Sequence, residues 1–273
     1  MPLLVPLWKG LRILEHLLTG AVVAMVVAAG RRLGYRVVWL DDVVCWWYRR
    51  LLRCMRVRVQ AEGTIAAGAL LVANHVSWLD IPAIGTRGMV RFLSKAEVRG
   101  WPLVGWMSGL AGTFFIARGA NRVGAAVEQI RARIQGGHPV VVFPEGTTSD
   151  GRQVHRFHPR LFAVCQQAGL AVQPVALRYG LGPDPDPIAP YIGNDILVAH
   201  LWHLLRHSGL DVRVSFLAPI QVAGLDRRGM ADAARVAIAS RLGLDTAEPS
   251  GRAGVPRPGK PRITTLPDRG DDP

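Results

Sequence analysis

The chain has 273 residues and a mass of 29.7 kDa, 49% of them hydrophobic and 19% charged, with a mean hydropathy of +0.20. This excludes a wholly disordered protein and leaves room for one large domain or two small ones. The 33 cationic residues outnumber the 20 acidic ones for a net charge of +13, and all cations except Lys9, Lys95 and Lys260 are arginine. Such an excess points to an anionic partner: a phosphate substrate, an acidic membrane surface or nucleic acid. Cys45, Cys54 and Cys165 form no CxxC pair and no even disulfide framework; this suits a reducing compartment and offers no zinc knuckle. The HExxH, P-loop, GxSxG and GxGxxG patterns are absent, which removes several common enzyme classes.

Near the N-terminus, Lys9 and Arg12 precede an apolar run, Leu17 to Ala29, that meets Arg31 and Arg32. Ala28-Ala29-Gly30 keeps a signal peptide as the weaker alternative. As a helix the run is about 20 Å long against a hydrocarbon core of ~30 Å. To span, it must extend back through Glu15 and Arg12, one turn apart and able to pair, so spanning and re-entrant insertion both stay open. Val37 to Leu52 carries Trp39, Trp46, Trp47 and Tyr48, while Asp42, Arg49, Arg53 and Arg56 share one helical face. Aromatics on one side and arginine on the other suit a helix lying flat at a membrane interface. The alternative is a core helix with a solvated stripe.

From Arg56 the pattern alternates between strands and helices. Arg56–Ala61 has period two, and Ala69–Ala73, Val90–Leu93, Thr113–Ile116, Val140–Phe143, Ala171–Leu177 and Val212–Leu217 are further strand candidates. The stretch from Val123 to Ile134, and Leu161–Gln167, Ile196–His207 and Met230–Leu242, have helical character. The expected fold class is α/β: a mixed, mostly parallel sheet flanked by helices and preceded by N-terminal membrane-associated helices. The expected division is residues 1–55 for the anchoring helices, 56–244 for the α/β domain, and 245–273, rich in Pro, Gly, Arg and Asp, for a disordered tail.

Four polar clusters lie at or just beyond strand ends: Asn74-His75 through Asp80, Lys95, Arg118-Gly119, and Pro144-Glu145-Gly146-Thr147. Ligands of open α/β sheets bind at the carboxyl ends of the strands, so these distant clusters are expected to meet at one edge. His75 and Asp80 suit a base and its orienting carboxylate, with His75 at a turn and Asp80 one helical turn further in. Taken alone, the pair is more readily an Asn-His loop with a capping Ser77 or Asp80. His200, His203 and His207 share a helical face, but no acidic or Cys partner is near in sequence, and a polar face near lipid head groups is preferred to a metal site.

Asn74-His75-Val76-Ser77-Trp78-Leu79-Asp80 resembles the NHxxxxD motif of the lysophosphatidate and glycerolipid acyltransferase family. Phe114 to Gly119 resembles its second block, Phe143 to Ser149 its third, and Val172-Gln173-Pro174-Val175 its fourth. The blocks stand in family order across roughly residues 56 to 220. The resemblance implies O-acylation of a lysophospholipid by an acyl thioester at the membrane surface. His75 is then the general base and Asp80 its partner, with no acyl-enzyme. Arg118 holds the acceptor phosphate with its guanidinium fork, Glu145, Gly146 and Thr147 bind the glycerol-phosphate end, Lys95 assists the thioester oxyanion, and Pro174 has a structural or acyl-pocket role.

Two departures bear on the acceptor. Many relatives carry Arg where this chain has Thr148, and the common Phe-Lys-x-Gly sequence is replaced by Phe157-His158-Pro159-Arg160; Arg152, Arg156 or Arg160 could supply the missing charge. The expected activity is transfer from acyl carrier protein or coenzyme A thioesters to 1-acylglycerol-3-phosphate, with lyso-ornithine lipid as the competing acceptor. The expected partners are the lipid bilayer, the lysophospholipid and the acyl thioester, with no cofactor or metal, at the cytoplasmic face of the cell membrane. A basic nucleic-acid-binding protein is the alternative from another class, but the arginines are spread along the chain and no nucleic-acid motif accompanies them.

Overall fold

A computed structural model describes residues 4–101, 103–116 and 123–244. The strands are β1 (Val57–Glu62), β2 (Leu70–Ala73), β3 (Arg91–Lys95), β4 (Phe114–Ile116), β5 (Val140–Val142), β6 (Val172–Tyr179) and β7 (Leu210–Phe216). They form one sheet in the order β1-β7-β6-β2-β5-β3-β4. Every neighbouring pair is parallel except β6 and β7. β4, β3, β5, β2 and β6 therefore run in one direction, and their carboxyl ends share one edge. All seven expected strands are present, displaced by at most two residues at either end.

The central strands are buried on both faces, which is why they read as continuous Val and Leu runs. Leu70 and Val72 enter one core with Val127 and Ile130 of α6 (Val123–Gln135) and Ala234 and Ile238 of α9 (Arg227–Leu242). Leu71 and Ala73 enter the other, with Ala83 and Ile84 of α3 (Asp80–Gly85) and Leu204 of α8 (Leu197–Arg206). The edge strand β1 alternates: Val57 is buried, while Arg58 is exposed and donates from Nε and Nη2 to the two carboxylate oxygens of Asp211 at 2.7 and 2.6 Å. The shorter helices α4 (Ala96–Arg99), α5 (Val104–Leu110) and α7 (Ala163–Ala168) complete the fold.

The N-terminal segment is longer than its apolar run. α1 spans Leu4–Arg32, about 43 Å, because its charges are satisfied: Arg12 donates to Glu15 at 2.7 Å, and buried Lys9 donates to the carbonyl of His207, at the end of α8, at 2.6 Å. Among the described residues it is the one helix long and apolar enough to cross a membrane. Its polarity is reversed relative to an ordinary surface helix. Lys9, Ile13, His16, Gly20, Ala24 and Val27 face the protein, while Leu4, Leu7, Leu11, Leu14, Leu18, Val22 and Met25 are exposed. α2 (Leu40–Cys54) returns antiparallel to it, and its aromatics do not share one outward face. Trp46 is exposed, Trp47 stacks on His16 at 4.2 Å, and Tyr48 packs on Phe92 and so close to Gly85 that a Cβ there would lie 2.4 Å from its ring. The expected boundary at residue 55 falls between α2 and β1, yet Ile13 and Leu52 belong to the same apolar core as the sheet. Residues 245–273 lie outside the described residues.

Candidate active site

β2 ends at Ala73, and the next side chain lets its neighbour continue. Asn74 accepts from the Leu177 N–H at 2.8 Å and donates to the Leu177 carbonyl at 3.0 Å. The amide stands in for a backbone partner of β6 while the β2 chain turns away. His75 thus emerges at the carboxyl edge. Its backbone N–H donates to Glu145 Oε1 at 2.8 Å, and its carbonyl accepts from the Ser149 N–H at 2.8 Å. The imidazole, 20% exposed, stacks on Phe143 with centroids 4.1 Å apart.

Asp80 is the first residue of α3 and fully buried. Its Oδ2 accepts from His75 Nδ1 at 2.8 Å and from the N–H groups of Val76 and Ser77 at 2.8 and 3.0 Å; its Oδ1 accepts from the Tyr179 hydroxyl at 2.7 Å. Four donors on one carboxylate offset its burial. His75 stands in the loop, and Asp80 stands at the start of the helix and not, as the spacing suggests, one turn inside it. Because the carboxylate accepts from Nδ1–H, the free lone pair of the neutral imidazole belongs to Nε2.

Tyr179, the last residue of β6, is the member that motif reading misses. It is completely buried, and burial, reinforced by Asp80, pushes its hydroxyl well above the ordinary tyrosine value, so it remains a donor. A tyrosine at the end of a largely buried strand, level with the site, is the sequence signal for it. Tyr179→Phe is expected to lower kcat roughly tenfold, about 1.4 kcal/mol, with acceptor KM unchanged, because Asp80 loses a donor but no substrate contact is removed. Steady-state kinetics with varied acceptor check this.

Glu145, expected at the glycerol-phosphate end of the acceptor, is 4% exposed, and its two oxygens accept backbone N–H groups, from His75 at 2.8 Å and His155 at 3.0 Å. It ties the two loops together beneath the edge. Gly146, with φ of +70°, turns the chain outward; a Cβ there would press on the His158 ring at 3.2 Å. Gly146 and Thr147 are exposed at the edge. Burial pushes the Glu145 carboxyl up to about 7, against the lowering effect of its two N–H bonds. The folded state therefore holds this proton more tightly than the unfolded chain. The stabilisation is full below about pH 4.5 and is lost as the pH climbs to about 7, a change of roughly 3 kcal/mol. Glu145→Gln is expected to flatten the corresponding fall in Tm across that window, measured by thermal unfolding at a series of pH values.

The remaining expected residues divide by position. Lys95 closes β3 at the catalytic edge, and Arg118 lies outside the described residues. Pro174 sits in the buried middle of β6, paired with Val72 and one residue before the β6–β7 ladder begins, where its missing N–H is tolerated. Thr148 donates to the Tyr191 carbonyl, and the Tyr191 N–H donates to Val76 O at 3.0 Å, so this position braces the catalytic loop. His200 is not on a free polar face. It is buried, accepts from the Trp78 indole at 3.0 Å through Nδ1 and donates from Nε2 to Ile188 O at 3.0 Å; burial lowers its pKa.

A buried carboxylate orienting a partly exposed imidazole at the end of a parallel strand is a site for proton abstraction from a hydroxyl. The family model described as Acyltransferase matches residues 56–178. The chain is 44% identical over 207 residues to a lyso-ornithine lipid O-acyltransferase of Pseudomonas aeruginosa, covering 75% of this chain and 80% of that one. It is 35% identical over 162 residues to a 1-acyl-sn-glycerol-3-phosphate acyltransferase of Neisseria meningitidis, covering 59% and 64%. The crystal structure of the 1-acyl-sn-glycerophosphate (LPA) acyltransferase PlsC from Thermotoga maritima superposes with a TM-score of 0.65 at 22% identity, over 88% of this chain and 94% of that one, and has the same fold. The chain belongs to the glycerolipid acyltransferase family and is an acyltransferase.

Proposed function

We propose that this acyltransferase acylates the hydroxyl of lyso-ornithine lipid, with an acyl carrier protein or coenzyme A thioester as donor and no further cofactor. His75 Nε2 takes the proton of the acceptor hydroxyl as its oxygen attacks the thioester carbonyl. The tetrahedral intermediate collapses with cleavage of the C–S bond, and the imidazolium returns the proton to the leaving thiolate. Asp80 stabilises the imidazolium throughout. Arg118, which follows β4 in sequence, is assigned the anionic group of the acceptor, Lys95 the developing oxyanion, and Gly146 and Thr147 the acceptor's contact at the exposed edge.

The observation that carries the reaction is the His75–Asp80 contact of 2.8 Å at the carboxyl edge of the sheet. Identity of 44% to a lyso-ornithine lipid O-acyltransferase, against 35% to a 1-acyl-sn-glycerol-3-phosphate acyltransferase, supports placing lyso-ornithine lipid ahead of the acceptor expected first from the motifs. The commitment of Thr148 to Tyr191, in place of a phosphate-directed arginine, supports the same order. Purified protein assayed in parallel with lyso-ornithine lipid and 1-acylglycerol-3-phosphate is expected to prefer the former in kcat/KM by at least about tenfold; preference for the latter reverses the acceptor assignment.

Membrane association belongs to the same reading, supported by the exposed Leu, Val and Met face of α1. α1 is tied to α8 through Lys9 and to the carbonyl of Leu110, in α5, through Arg31 at 3.2 Å. These ties are about 33 Å apart along the helix, so α1 lies along the domain and meets lipid sideways. The three cysteines are free and buried, in keeping with a position at the cytoplasmic face.

A further inference from the structure

Two packed helices ordinarily fill the seam between them with apolar side chains. Here one stretch of the seam between α1 and α2 is cationic. Trp8 and Arg12 from α1 and Trp46, Arg50, Arg53 and Cys54 from α2 line an open groove of about 310 Å³. It contains none of the residues of the site at His75. The spacing of four between Trp8 and Arg12, and between Trp46 and Arg50, puts each pair on one helical face.

The charges in this groove do not balance. Among the described residues, Glu15 is the one carboxylate that the groove arginines bond, accepting from Arg12 at 2.7 Å and Arg50 at 2.8 Å. Three guanidiniums against one carboxylate leave an excess of two positive charges. Arg50 is largely shielded from water, with a side chain 13% exposed, and is further held 3.2 Å from His16 Nδ1. Arg53 donates from Nε to the Arg49 carbonyl at 3.3 Å. The guanidinium carbons of Arg12 and Arg50 lie 6.0 and 5.7 Å from the ring centroids of Trp8 and Trp46. Arg50 is partly desolvated while Arg12 and Arg53 stay open to an incoming ligand, and guanidiniums oriented in this way suit an anion with several acceptor oxygens.

Trp8 also indicates where such an anion comes from. It is 53% exposed and stands between Leu4 and Leu11 on the outward apolar face of α1, so the groove's lip is continuous with that face. A molecule with a phosphate in the groove and hydrocarbon along α1 meets matched chemistry at both ends. We propose that this groove binds the phosphate headgroup of an anionic membrane phospholipid, a site separate from the one that binds acceptor and donor. The proposal rests on the membrane association described above.

The test is flotation of the full-length protein with vesicles of phosphatidylcholine alone and of phosphatidylcholine and phosphatidylglycerol at three to one. Wild type is expected to float with both and to bind the mixed vesicles more tightly. The double variant Arg12→Gln/Arg53→Gln is expected to lose roughly tenfold of the mixed-vesicle affinity, the equivalent of one charge-assisted hydrogen bond, and to keep its binding to phosphatidylcholine. Arg50 is left in place because it holds Glu15. Arg227→Gln/Arg228→Gln, at exposed positions on α9, removes the same charge and is expected to lose far less. Arg12→Lys/Arg53→Lys keeps both charges, guards against misfolding of the glutamine variant, and is expected to recover only part of the affinity because the fork is gone.

Equal losses in the groove and α9 variants would overturn the site in favour of diffuse attraction. Wild type floating equally with both vesicle types would overturn it while leaving membrane association intact. Flotation with neither would overturn membrane association itself. Saturable binding of inorganic phosphate that is lost in Arg12→Gln/Arg53→Gln, by a wild type that shows no preference for the mixed vesicles, would overturn the lipid headgroup in favour of a free phosphate ion.

Discussion

His75→Ala is expected to reduce acyl transfer by at least about 10²–10⁴-fold, the usual contribution of a positioned general base, in a protein that remains folded. The backbone of His75, not its ring, makes the contacts with Glu145 and Ser149 that hold the loop, and alanine preserves both. The ring is partly exposed and contributes its stacking on Phe143, so the loss of packing is modest. Circular dichroism and Tm should stay close to wild type while single-turnover acylation collapses. Normal turnover by this variant would remove His75 from the role of base.

Much of this architecture was legible in the sequence because a parallel sheet buried on both faces leaves an uninterrupted apolar signal. Leu70–Ala73 and Val140–Val142 are such runs, and the polar residues that follow them mark the edge where the site forms. α3, α4 and α5 were not legible. They are four to seven residues long, α3 carries Pro82 within it, and tertiary contacts hold it, with Tyr48 against Gly85 and Arg49 on the carbonyl of Thr86. Short helices stabilised from outside carry little periodicity of their own.

The site divides in the same way. His75 and Asp80 are five residues apart, and a local turn brings them together, so their spacing is informative. Tyr179 reaches Asp80 across 99 residues, and only the β2–β6 register sets that approach. Glu145 stands at the right strand end, but whether its carboxylate faces substrate or protein depends on the loop that delivers the His155 N–H. The helical face of His200 was visible; the Trp78 indole and Ile188 carbonyl that enclose it come from distant segments.

Asp80→Asn is expected to leave a folded protein with kcat lowered by about 10²–10⁴-fold and acceptor KM little changed. The carboxylate takes three donors on Oδ2 and the Tyr179 hydroxyl on Oδ1. An asparagine has one acceptor oxygen and one NH₂ group. Its favourable orientation keeps the oxygen toward His75, Val76 and Ser77 and points the NH₂ at Tyr179, whose hydroxyl rotates to accept. The loop and the imidazole tautomer are then retained, and what is lost is the negative charge that stabilises the imidazolium. The loss therefore falls on the chemical step. Asp80→Ala is the necessary contrast. It leaves the Val76 and Ser77 N–H groups and the Tyr179 hydroxyl buried without their acceptor, at about 1–3 kcal/mol each, a large part of the ~5–15 kcal/mol that holds a domain folded. Kinetics and thermal unfolding of the two variants separate the functions of one side chain: asparagine folded and slow, alanine poorly folded. A near-normal kcat in Asp80→Asn, with the deficit confined to acceptor KM, would move Asp80 from partner of the base to a binding residue.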